Sequence, residues 1–61
     1  MRFIKLKEVL TMTGVSRSYV YHCIAEGRFP KPIKVGGSAL WLLDEVVSWM
    51  EDKVKSRDIS H

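Results

Sequence analysis

Arg17, Ser18, Tyr19, Tyr21 and His22 crowd into six positions of this chain and carry most of its polar chemistry. A guanidinium, three hydroxyls and an imidazole supply donors and acceptors suited to flat hydrogen-bonding edges and anionic oxygens. They do not form a catalytic set. His22 and Cys23 are sequence neighbours that a helix turns to different faces, and no general base stands at a productive spacing from either. No group of His, Cys, Asp and Glu has the spacing of metal ligands, and Cys23 falls on the apolar face as a core residue. These residues point to recognition rather than to an enzyme, with no metal and no cofactor.

The elements that must position them are legible around the same stretch. Gly14 can adopt the positive φ that ends one helix, and Ser16 can cap the next by accepting a backbone hydrogen bond. Val15 and Val20 then occupy the positions before the cap and four after it, where an apolar pair fixes the angle of the chain into the helix. At about 100° per residue, Val20, Cys23 and Ile24 share one face, Ser18, His22 and Ala25 lie opposite, and the two tyrosines flank them. The outer face carries no acid before Glu26. A solvated helix would more often mix Glu and Lys there at spacing four.

Sixty-one residues make one small domain, near the size at which a single core is only just sufficient. It is expected to span 1–55, with 56–61 as a frayed tail. The single cysteine and the lack of a signal peptide or long apolar segment predict a cytoplasmic protein without a membrane span. Charge is divided unevenly. Residues 1–37 carry Arg2, Lys5, Lys7, Arg17, Arg28, Lys31 and Lys34 against Glu8 and Glu26, a balance of +5. Residues 38–61 carry three basic side chains against five acidic ones, a balance of −2. A basic half that coincides with a turn and helix makes nucleic acid the leading partner.

Along the chain, Met1 to Leu6 reads as an extended lead-in whose apolar residues cover one edge of the core. Lys7 to Thr13 predicts a first helix of about two turns with Leu6, Val9 and Leu10 facing inward, too short to persist undocked. Gly27 closes the second helix, and Pro30 and Pro32 impose a stiff extended connector with Phe29 tucked into the core. Ile33 to Val35, Gly36-Gly37 and Ser38 to Trp41 predict a hairpin with one apolar face. From Leu43 or Asp44 to about Lys55 a third helix is expected, with Leu42, Val46, Trp49, Met50 and Lys53 or Val54 on one stripe and Val47 off it. The fold class is therefore mainly α with a small β-hairpin.

This order of elements, together with several specific strings, resembles the AlpA family of small prophage regulatory proteins. The strings are Leu6 to Val9, Thr13 to Ser18, Tyr21, Ile24 to Lys34, Gly36-Gly37, Trp41, Glu45-Val46 and Trp49, and the resemblance runs from Phe3 to about Met50. It implies a winged helix-turn-helix of about three helices plus a two-stranded wing, related to phage excisionases and more distantly to the MerR-type DNA-binding domain. It further implies that Ser16 to Gly27 is the recognition helix and Gly36-Gly37 the tip of the wing. Three positions depart from the family pattern: Tyr19 replaces a small hydroxyl residue, His22 a basic one, and Ser38 a frequent Arg.

On this reading the protein is a sequence-specific transcriptional regulator that binds double-stranded DNA. Arg17 and Ser18, with Tyr19 and His22, are expected at base edges in the major groove, where Arg can pair with guanine in bidentate fashion. Tyr21, Arg28, Lys31, Lys34 and Ser38 are expected at phosphates, and the wing at the neighbouring minor groove. One such unit reads few base pairs, so a homodimer or a cooperative array on DNA is expected. An excisionase-like architectural factor that guides an integrase is the alternative within the same chemistry. A protein-interaction module using Tyr19, Tyr21 and His22 is the alternative from another class.

Overall fold

The computed structural model describes residues 1–59 and the side chains as far as Arg57. Its elements are β1 (Phe3–Lys5), α1 (Leu6–Thr13), α2 (Arg17–Ala25), β2 (Ile33–Val35), β3 (Ser38–Leu42) and α3 (Leu43–Ile59). Three helices and a small antiparallel sheet bear out the mainly α fold with its hairpin wing. The joints are local chemistry. Gly14 takes φ 73° and its N–H donates to the Leu10 carbonyl at 2.8 Å, ending α1. At the start of α2 the Tyr19 N–H donates to Ser16 Oγ at 3.1 Å. Gly27, at φ 74°, closes α2 with paired bonds, from its own N–H to Ile24 and from the Arg28 N–H to Cys23. That pairing is a Schellman motif, and it turns the chain sharply out of the helix.

The core is Ile4, Val9, Val20, Cys23, Phe29, Trp41 and Val46, one or two side chains from each layer. Val15 is half-buried against the same cluster that holds Val20. Two indoles reach across it to the connector after α2. Trp41 Nε1 donates to the Pro30 carbonyl at 2.9 Å, and Trp49 Nε1 to the Arg28 carbonyl at 2.8 Å. Phe29, between Arg28 and Pro30 in the chain, meets Trp49 edge to face, with ring centroids 4.9 Å apart. The connector is rigid because each indole N–H needs an acceptor and a proline-bounded backbone has carbonyls to spare.

Two elements differ from the sequence expectation. The lead-in is a strand: Ile4 pairs opposite Trp41, and the sheet has three strands in the order β1-β3-β2 instead of two. Phe3, Leu40, Leu42, Ile33 and Val35 fall on the face turned away from the core by strand alternation, so the hairpin is apolar on both sides and not on one. The third helix runs past Lys55 to Ile59, so 56–59 of the expected frayed tail are helical, while Ser60 and His61 lie outside the described residues. From Glu51 to Arg57 its side chains are exposed: Val54 is 54% exposed at the edge of a cleft shared with Val15 and Tyr19, and Lys53 lies over the Trp49 ring at 5.3 Å. The expected stripe therefore stops at Met50.

Candidate nucleic-acid interface

Because Val20 and Cys23 are buried and Ile24 is half-buried, the rest of α2 is turned outward. Ser16, Arg17, Ser18, Tyr19, Tyr21, His22, Ala25 and Glu26 are all exposed. Of the four outward residues expected at base edges, Ser18 and His22 lie one turn apart on the outermost face, Arg17 meets Tyr21 on one flank, and Tyr19 lies on the other, lining a cleft with Val15, Trp49 and Met50. Arg17 is partly ordered by its neighbour, its guanidinium carbon lying 5.9 Å from the Tyr21 ring centroid, within range of a cation–π contact. The first turn of α2 holds no acid, so the positive end of the helix dipole is left open to an anion.

The surrounding cations fall into two groups. Lys31 and Lys34 are exposed, and among the described residues no acid stands within ion-pair distance of them or of Arg17. Arg28 is different. Its Nε donates to Glu26 Oε1 at 2.9 Å and its Nη2 donates to the same oxygen. The other oxygen of Glu26 lies 3.3 Å from His22 Nε2, one helical turn back. The hydrogen bond from Arg28, and then the charges of His22 and Arg28, hold the Glu26 carboxyl below the usual carboxylate range. Glu26 in turn raises the Arg28 guanidinium, to which Tyr19 also contributes.

The wing is shaped by Gly36 and Gly37, at φ 56° and 85°, the successive positive values that a tight two-residue hairpin turn requires. Val35 pairs with Ser38 across the turn, and Lys34 pairs with Ala39. Since Ala39 packs on the core and Ser38 does not, Lys34 and Ser38 stand on opposite faces of the hairpin. The pairing of Glu26 with Arg28 and His22 was missed in the sequence, although the spacing of four from His22 was a signal for half of it. The indole clamp on the Arg28 backbone had no local signal, since Trp49 lies twenty-one residues away.

A short bracing helix, a turn, an exposed capped helix and a glycine-tipped hairpin beside it constitute a winged helix-turn-helix. Among the described residues no group of His, Cys, Asp and Glu could hold a metal, and no helix is long and apolar enough to cross a membrane. The chain belongs to the family of the prophage regulatory protein AlpA: the family model described as Prophage CP4-57 regulatory protein (AlpA) matches residues 2–54. It is similar to the uncharacterized protein ORF88 of Enterobacteria phage P4, with 39% identity over 57 residues. That alignment covers 92% of this chain and 65% of the phage protein, so the chain spans just under two thirds of that relative. No solved structure matches the chain.

Proposed function

We propose that this protein is a prophage-type transcriptional regulator that binds double-stranded DNA, with α2 in the major groove and the β2–β3 hairpin beside the adjoining backbone. The observation that carries the reading is the exposed face of α2, where Arg17, Ser18, Tyr19 and His22 point outward without an acid in the first turn. Arg17 and Ser18 enter first and read base edges, and His22, one turn on, follows. Tyr21 steadies Arg17 and offers its hydroxyl to a phosphate. Lys31 and Lys34 neutralise phosphates, joined by Arg28 once it is released from Glu26.

Nothing in this chemistry makes or breaks a bond, and the protein acts by occupancy. Two or more copies on neighbouring half-sites supply the base pairs that one small domain cannot read alone. Recovery of genomic fragments bound by the purified protein, compared with an Arg17→Ala, Ser18→Ala variant at equal salt, tests the assignment. One short repeated motif near promoters, lost in the variant, is the expected result. Motifs confined to attachment sites would instead favour an excisionase-like role beside an integrase, and no enrichment in either protein would remove sequence-specific binding.

A further inference from the structure

Glu26 is the one acid on the outward side of α2, and its place there is electrostatically costly. It caps the carboxyl end of the helix, where the dipole disfavours a negative charge, and it is exposed, so packing does not hold it. What offsets the position is its two partners, Arg28 and His22, both of which are also candidates for DNA contact. The backbone of Arg28 is fixed independently by Trp49, and its preceding turn by the Gly27 closure, so Arg28 is presented in the same place whether or not Glu26 holds its side chain. A carboxylate and a phosphate both accept from a guanidinium in this forked manner. Arg28 thus has a built-in competitor for any phosphate.

We propose that Glu26 is an autoinhibitory contact of the interface: in the free protein its carboxylate occupies Arg28 and His22, and DNA gains them only by displacing it. The inference rests on the DNA-binding reading above. A phosphate met at random must compete with a tethered carboxylate, and only a duplex that also satisfies Arg17 and Ser18 holds the helix close enough for long enough to win. A duplex that opens the pair bears its full cost, and one that cannot open it forgoes only the Arg28 contact, so Glu26 weakens binding to the preferred site at least as much as binding to arbitrary DNA.

A double-mutant cycle tests it, with Glu26→Gln, Arg28→Gln and the double variant titrated against a random-sequence 30-base-pair duplex and against the motif recovered from genomic DNA. Circular dichroism checks that all four proteins are folded. Glu26→Gln is expected to tighten binding to the recovered motif several-fold and to the random duplex by no more than that. In the Arg28→Gln background the same change is expected to gain clearly less. An equal gain in both backgrounds would mean only that a negative charge has been removed, and would overturn the inference. So would unchanged or weaker binding by Glu26→Gln. If the unmodified protein binds no duplex at all, the DNA-binding reading itself fails, a result distinct from a failed cycle.

Discussion

Ser16 and Trp49 stabilise the interface from opposite ends, each through one hydrogen bond. Ser16 accepts from the Tyr19 N–H at the head of α2, and Ser16→Ala is expected to cost about 1 kcal/mol in a urea unfolding curve. Trp49→Phe keeps a ring against Phe29 and removes the donor to the Arg28 carbonyl, for a similar loss of about 1 kcal/mol. In a domain of this size either loss is a large share of the whole, since marginal stability amounts to roughly 0.1 kcal/mol per residue. Trp41, wholly buried and bonded to Pro30, is the limiting case: Trp41→Ala should cost about 3–5 kcal/mol and leave no cooperative transition by circular dichroism. Glu26 links stability to pH. Its carboxyl lies lower in the folded chain than in the unfolded one, so its contribution is complete above the usual carboxylate range and fades as pH falls through and below it. Thermal melts should therefore show a smaller acid loss in Glu26→Gln than in the parent. At this scale the sequence was informative where partners are near neighbours, as at Ser16 and Gly14, and silent where they are distant, as for both indoles.

Among the elements, those ended by their own residues were the legible ones. Gly14, Ser16, Gly27 and Gly36-Gly37 each impose a backbone conformation locally, and α1, α2 and the hairpin fall where those residues place them. Gly37, at φ 85° with nothing crowding its α-carbon, shows that backbone conformation alone sets the demand. Gly37→Ala is expected to destabilise by about 1 kcal/mol or more through the strained turn, with a lower melting temperature as the readout. Strand β1 was not legible as one, because three residues give no reliable period and their partners in β3 lie thirty-five to thirty-nine positions on. The length of α3 was underestimated for a related reason. From Glu51 to Arg57 its side chains are exposed, so no apolar spacing marks this part of the helix in the sequence. The candidate site divides in the same manner: the outward set on α2 follows from helical spacing, whereas the opposite facing of Lys34 and Ser38 depends on strand register across the turn.

For the molecule as a whole, the basic segment of the sequence supplies α2, the connector and one arm of the wing, while the acidic segment supplies the first turn of α3. Arg17, Lys31 and Lys34 stand without acid partners among the described residues, while Asp44, Glu45 and Asp52 line a shallow pocket with Pro30, the neighbour of Lys31. Such a division has a measurable consequence, because cations that displace condensed counterions make binding fall with salt in proportion to the phosphates they neutralise. The most direct test of DNA binding by this surface is therefore the affinity for a duplex across a series of salt concentrations, for the parent and for Lys31→Gln, Lys34→Gln. With four or five phosphates neutralised, log affinity should fall against log salt with a slope of roughly −4, made shallower by about one for each lysine removed. A slope near zero, or one that the two substitutions leave unchanged, would contradict the assignment of this face to DNA.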